Sequence, residues 1–255
     1  MSGFATYPSL RDRVVFVTGG ATGIGASVVE HFAAQGARVA FADVAAEAGQ
    51  GLAARIAGTG APPPLAMVCD LRNVGGLQEA IARAGRELGP VQVLVNNAGN
   101  DDRHAVADVT PAYWDERMNV NLRHQFFAAQ AVHSQMKAAG GGAIVNMGSI
   151  VWKLGMGGLP VYSAAKAAVC GLTRALARDF GGDGIRVNTV LPGWIMTERQ
   201  IALWLDEAGE RALMADQCLK EKIYPADVAR LVLFLAADDS RMCTSQDFII
   251  DGGRV

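Results

Sequence analysis

Seven short, β-branched apolar runs alternate with longer Ala-rich stretches of helical spacing along these 255 residues, and that alternation leaves few folds open. The runs are RVVFV (13–17), ARVAFAD (37–43), PLAMVCD (64–70), VQVLVNN (91–97), AIVNMGS (143–149), IRVNTVLP (185–192) and DFIID (247–251). Helical patterns occupy 24–35, 46–57, 73–88, 111–139 and 160–180, with one more near 226–237. Strands apolar at nearly every position need cover on both faces, so the pattern predicts an α/β fold, a doubly wound parallel sheet of seven strands in a single domain over 1–255. Only 194–223 breaks the alternation. It mixes helical and polar character and is expected to form a lid above the strand ends.

Composition narrows the function. With 51% hydrophobic and 19% charged residues the chain has ample material for a core, and disorder is excluded. Twenty-three basic against 25 acidic residues leave a net charge of −2, which supplies no broad positive field, so no nucleic-acid partner is expected. Apolar stretches such as Leu231 to Ala237 fall far short of the roughly 20 residues a membrane helix needs, and MSGFATYPSLRDR has no apolar run flanked by basic residues. A cytoplasmic protein without a membrane partner is the expectation. Cys69, Cys170, Cys218 and Cys243 show no CxxC spacing, and His104 has no second ligand at metal spacing, so neither disulfides nor a metal site is expected.

The first strand runs directly into TGGATGIG (18–25), where a helix opens. Here Gly19 permits the turn, Gly23 lets the backbone approach a phosphate and Gly25 lets the helix pack on the strand, while the helix-start N–H groups face a pyrophosphate. This is the signature of a Rossmann-type dinucleotide site. Asp43 ends the second strand, 24 residues after Gly19, where a carboxylate accepts from an adenosine ribose and repels a 2′-phosphate. Asp43 therefore favours NAD, its other reading being a cap for the next helix. Asp70 closes the third strand and serves either the adenine end or as an N-cap. In Asn96-Asn97-Ala98-Gly99 the amides can tie strand ends together while the small residues keep the backbone low under a ribose.

Tyr162 and Lys166 stand four apart on one helix face. A phenol accepts a proton near neutral pH only if its anion is stabilised, and a fixed ammonium does that. Ser149, at the end of the fifth strand, could hold a substrate oxygen against the phenol. Asn121, in WDERMNVNL (114–122), could hold a water or a helix carbonyl. Taken singly, each also fits an ordinary structural residue.

Taken together, these residues resemble the short-chain dehydrogenase/reductase family over about 10–253. The resemblance implies Tyr162 as acid/base, Ser149 as substrate orienter, Lys166 as pKa tuner and ribose ligand, and Asn121 as anchor of a proton-relay water. It extends the NAD contacts to Gly19, Thr22, Gly23, Ile24, Asp43, Asp70, Leu71, Asn97, Ala98 and Gly99, and through PGWIMT to Pro192, Gly193, Ile195 and Thr197. It also implies a homotetramer. The Ala164, Ala165, Ala167 and Ala168 stripe suits close helix approach, or equally packing on the protein's own sheet. NNAGNDDRH (96–104), AYWDERMNVNLRH (112–124), QCLK (217–220) and LVLFLAADD (231–239) are similar to bacterial D-xylose 1-dehydrogenases of the family, which implies oxidation of an aldopyranose at C1 to an aldonolactone. Asn100, Asp101 and His104 would then meet the small-molecule sugar, with Trp152 and Trp194 covering its less polar face; Arg199 and Gln217 are weaker candidates. Asp101 and Asp102 otherwise read as helix caps and Arg103 as a surface ion-pair residue. The competing readings are the same chemistry on another secondary alcohol or a 3-oxoacyl substrate, and a non-catalytic NAD-sensing regulator.

Overall fold

Strand β1 (Val14–Thr18) is buried at all five positions because helices cover it on both sides: Val15 and Val17 pack into one layer, Val14 and Phe16 into the other. In a computed structural model describing residues 3–255, it lies within a seven-stranded sheet ordered β3-β2-β1-β4-β5-β6-β7. The partners are β2 (Arg38–Asp43), β3 (Leu65–Val68), β4 (Val91–Asn96), β5 (Gly142–Met147), β6 (Ile185–Pro192) and β7 (Asp247–Ile250), and every pairing is parallel. One helical layer contains α1 (Gly23–Ala34), α2 (Ala46–Ala57) and α9 (Pro225–Ala236); the other contains α3 (Val74–Leu88), α5 (His124–Ala138) and α6 (Pro160–Phe180). This is the doubly wound, Rossmann-like arrangement that the alternation predicts. Strand order reverses beside β1, where β2 and β4 flank it, and the crevice above such a reversal is where open α/β sheets take ligands.

Two stretches differ from their periodicity. The single helix expected over 111–139 is α4 (Pro111–Met118), a π turn Asn119–Arg123, and α5. An inserted residue in a helix shifts the carbonyl register locally, and such turns cluster at functional sites. The 194–223 insertion folds as α7 (Glu198–Trp204) and α8 (Glu207–Asp216), closed at its base by a parallel bridge between Ile195 and Ile223. Thr197 caps α7 by accepting from Gln200 N, and Asp206 caps α8 by accepting from Gly209 N.

A buried polar ladder ties the strand ends beneath the crevice. Asn96 Nδ2 donates to Asn146 Oδ1 (2.9 Å), Asn146 Nδ2 to Thr173 Oγ1 (2.9 Å) and Thr189 Oγ1 to Thr173 Oγ1 (2.8 Å). Asn97 Nδ2 donates to the carbonyls of Thr18 and Gly19, while Thr18 Oγ1 accepts from the amides of Asn97 and Ala98. The ends of β1, β4, β5 and β6 are thereby locked in register. Among the described residues no helix is long and apolar enough to cross a membrane.

Candidate active site

A cleft of about 750 Å³ opens above the carboxyl ends of β1, β4, β5 and β6. At one end lies the glycine turn. Gly19 has φ +66° and a Cβ there would stand 2.8 Å from Ala98 Cα, while one on Gly25 would stand 1.8 Å from Gly19 O. Thr22 precedes α1 in extended conformation with no side-chain capping bond, and the first turn of α1 has no acidic residue. Those helix-start N–H groups thus face the cleft without a side-chain acceptor, as a pyrophosphate site requires.

Asp43 forms the wall beside this turn. Its Oδ2 accepts from Ala21 N (2.9 Å) and its Oδ1 from Ala45 N (3.0 Å), so part of its acceptor capacity braces the backbone. A carboxylate offers about four acceptor positions, which leaves two for ribose hydroxyls. Asp70 lines the cleft and does not cap α3. Its carboxylate is gripped by the Arg72 fork at 2.6 and 3.0 Å, and that bond holds its pKa below the ordinary value; the N-cap of α3 is Asn73. Close-packed glycines, unpartnered helix-start amides and a half-used carboxylate suit a dinucleotide.

At the other end, β5 presents Ser149 and α6 presents Tyr162 and Lys166 to the same cleft. Lys166 is 2% exposed; its Nζ donates to Met147 O (2.8 Å) and stands 5.6 Å from the centroid of the Tyr162 ring. Gly99 makes room for this packing, since a Cβ there would meet Asn121 Oδ1 at 3.1 Å and Lys166 Nζ at 3.2 Å. Burial pulls Lys166 down to about 8, with Asp101 opposing. Burial raises the Tyr162 pKa well above the usual phenol value; Asp101 adds to the rise and the Ser149 hydroxyl partly offsets it. In the protein by itself the Lys166 ammonium lies over the Tyr162 ring and bonds to the Met147 carbonyl, and burial is the largest influence on the phenol.

Asn121 is fully buried but does not line the cleft. The π turn aims it at Asn100, whose N–H it accepts (2.8 Å) and whose carbonyl it donates to (3.1 Å), and it donates again to Arg117 O (3.0 Å). It anchors the loop behind the site. Of the sugar candidates, Asn100, Asp101 and Trp194 reach the cleft wall, whereas His104 and Trp152 do not. His104 is drawn away by Tyr113 Oη (2.9 Å) and by Val161 N, which donates to its Nε2 (3.4 Å) at the start of α6. Trp152 packs with Ile150, Cys170 and Leu191. Asp101 and Asp102 cap no helix. Asp101 accepts from Gln200 Nε2 (2.7 Å) and Asp102 from Arg199 Nη2 (2.5 Å) and Arg117 Nη1 (3.1 Å), so they clasp the lid. Arg103 leaves surface pairing for the Trp204 ring, 4.4 Å from its centroid. Gln217 is buried and donates to Leu219 O and Glu221 O, a brace within the insertion.

A family model described as Enoyl-(Acyl carrier protein) reductase matches residues 19–254. The chain belongs to the short-chain dehydrogenase/reductase family. It is 53% identical over 249 residues to a D-xylose 1-dehydrogenase of Caulobacter vibrioides, covering 98% of both chains. It is 51% identical over 247 residues to a Rhizobium meliloti protein named "Probable galactose dehydrogenase GalD", covering 97% of this chain and 96% of that one. Among solved structures it superposes on a blue fluorescent protein from a metagenomic library in complex with NADPH, with TM-score 0.89 and 37% identity over 97% of this chain and 99% of that one. As a short-chain dehydrogenase/reductase it is an oxidoreductase with a nicotinamide-dinucleotide site.

Several wall residues of this dehydrogenase had no sequence signal. Gln200 bridges Trp194 Nε1 (2.9 Å) and Asp101, and Leu154, Met156 and Leu159 supply apolar lining from the segment after β5. His124, wholly buried at the start of α5, is pushed down to about 3 by burial, with the Lys166 charge adding and the Asn119 and Val120 backbone opposing. Its place in the helical pattern gave only a polar residue at a core position.

Proposed function

We propose that the protein oxidises an aldopyranose, a pentose such as D-xylose or L-arabinose or a related hexose or 6-deoxy sugar, at C1 to the aldonolactone with NAD. The observation that carries this reading is one cleft with the glycine turn and Asp43 at one end, and Ser149, Tyr162 and Lys166 at the other. The sugar dehydrogenases among its relatives support the substrate class. Asp43 supports NAD: with Ala21 and Thr22 in the turn there is no cation to compensate its repulsion of a 2′-phosphate.

The dinucleotide supplies the hydride acceptor and, when oxidised, a positively charged ring. Gly19 to Ile24 would hold its phosphates, and Ala98, Gly99, Pro192, Gly193, Ile195 and Thr197, which line the same cleft, would contact the rest of it. Ser149 and Tyr162 receive the anomeric hydroxyl, and Tyr162 takes its proton as the C1–H bond breaks. Burial and Asp101 hold the phenol proton tightly in the free protein, and Lys166, its ammonium 5.6 Å from the ring centroid, is the cation placed to favour the phenolate. Lys166 passes the proton onward and binds the ribose, and Asn121 keeps the Asn100 loop in place behind both. The Trp194 ring covers the sugar's less polar face while Asn100 and Asp101 bond its hydroxyls.

The test is reduction of NAD and NADP by the purified protein with pentoses, hexoses and 6-deoxy sugars, set beside secondary alcohols and 3-hydroxyacyl thioesters. NADH formation with an aldose and lactone detected as product is the expected result; activity confined to the non-sugar substrates overturns it. A homotetramer in the cytoplasm completes the reading. Ala164 and Ala168 are exposed on α6 while Ala165 is buried against the protein itself, so part of the stripe is open to a second helix; light scattering tests the assembly.

A further inference from the structure

The cleft has one wall that no motif supplies, the turn that follows β7. Asp251 is 4% exposed, and its carboxylate accepts from Gly253 N (2.8 Å) and Val255 N (2.9 Å). Gly252 and Gly253 have φ +70° and +81°; a Cβ on the first would stand 2.7 Å from Gln217 Nε2, and on the second 2.8 Å from Cys218 Cβ. Leu219 N and Cys218 N donate back to the carbonyls of Gly252 and Gly253. On its other side the turn sits on Gly193, where a Cβ would come within 2.8 Å of Asp251 Cβ. The turn is thus wedged between the base of the lid and the segment carrying Trp194, and this brings Arg254 onto the wall of the cleft shared by Ser149, Tyr162 and Trp194.

Arg254 is four-fifths buried, its side chain 19% exposed, and its Nη2 pairs with Asp216 Oδ2 at 3.1 Å. Its Nε is buried with no acceptor, the only arginine nitrogen in that condition among the described residues. The other cleft arginines are engaged: Arg72 with Asp70, Arg117 and Arg199 with Asp102, and Arg103 over Trp204. A buried donor without an acceptor is costly, and the guanidinium that carries it belongs to a residue lining the cleft, where an occupant with hydroxyl oxygens brings acceptors within its reach.

We propose that Arg254 is a specificity residue of the sugar site, its guanidinium donating to non-anomeric hydroxyls of the aldopyranose while Ser149 and Tyr162 hold the anomeric one. This rests on the reading given under Proposed function. The chemistry favours a neutral polyol over a sugar acid. Asp216 already balances the charge of Arg254, so an anion gains no uncompensated charge from this guanidinium, whereas a hydroxyl gains a donor. The rigid fork of arginine then discriminates between epimers by where a hydroxyl points.

Arg254→Met and Arg254→Lys are to be assayed with NAD against the preferred aldose, its epimers and its monodeoxy analogues, with dinucleotide affinity followed by protein fluorescence. Arg254→Met is expected to lower kcat/KM for the preferred sugar about 10- to 100-fold, the loss falling on KM. Wild type should discriminate against the analogue lacking the contacted hydroxyl, and Arg254→Met should treat that analogue and its parent alike. Arg254→Lys keeps charge and stem, so it reads out the site if the Met variant does not fold, and it should not restore epimer discrimination. Equal losses on the parent and every deoxy analogue, a loss tracking weaker NAD binding, or wild-type preference for sugar acids overturns the proposal. Wild type reducing NAD with no aldose at all is the separate result that removes the underlying reading.

Discussion

The two ends of the cleft are held by different kinds of interaction. At the glycine turn the partners are strand ends and backbone groups: Gly19 N donates to Ala42 O (2.8 Å), Asp43 braces Ala21 and Ala45, and Asn97 bonds Thr18 and Gly19. Sheet register decides those contacts. At the lid end long side chains reach across the chain, Asp101 to Gln200, Asp102 to Arg199 and Arg103 to Trp204, and several are about half exposed. Exposed ion pairs contribute about 0–1 kcal/mol each. The dinucleotide end is therefore set by the fold, while the substrate end is adjustable by single substitutions without loss of the fold, which accounts for one scaffold serving relatives named for different alcohols.

The sharpest cut through that contrast is Tyr162→Phe, which removes proton transfer and leaves the glycine turn intact. Turnover is expected to fall by about 10²–10⁴, with dinucleotide affinity by fluorescence titration nearly unchanged; near wild-type turnover removes Tyr162 from its role. Next in size, Asp43→Asn keeps the shape of the rigid end but deletes its charge. The ratio of kcat/KM for NAD over NADP should drop by about tenfold or more, and an unmoved ratio means that Asp43 only braces the backbone.

Asp101→Asn tests the adjustable end. Asp101 raises both Tyr162 and Lys166, so removing its charge lowers both proton affinities and moves to lower pH both the acidic limb of the kcat profile, set by Tyr162 as base, and the basic limb, set by the Lys166 ammonium, with a few-fold change in sugar KM. A profile that stays in place while KM changes would leave Asp101 as a lid clasp alone. The smallest effect belongs to His124, beneath both ends. Its folded pKa of about 3 lies below the ordinary 6.5, so between those values the unfolded chain binds the extra proton and stability falls as pH drops below 6.5. Between pH 6 and 5 the loss is on the order of 1 kcal/mol. His124→Leu should flatten that slope in urea titrations, and an unchanged slope would assign the acid lability elsewhere.

How much was legible follows the same division. Strand β6 over 185–192, α2 over 46–57 and α6 over 160–180 have the bounds that periodicity predicts, because each carries an uninterrupted pattern between turn residues. The pattern over 111–139 reads as one continuous helix because a π turn adds one residue without disturbing its polar and apolar alternation. Tyr162 and Lys166 are legible through their four-residue spacing on one helix face and Ser149 through its place after a strand end, and their roles follow from the family resemblance of the whole set. His104 and Trp152 were not, since the neighbours that draw them from the cleft, Tyr113 and the Cys170–Leu191 cluster, are distant in the chain or announce nothing by composition.

Local pattern alone determined the seven strands, their parallel order of covering helices and the glycine turn, because backbone propensity, burial on two faces and φ > 0 are imposed within a few residues. Only the tertiary structure decided the proton affinities of Tyr162 and Lys166, the clasp from Asp101 to Gln200 and the arrival of Arg254 at the cleft wall. Those depend on desolvation and on side chains meeting from opposite parts of the chain, quantities that exist only once the sheet has closed over them.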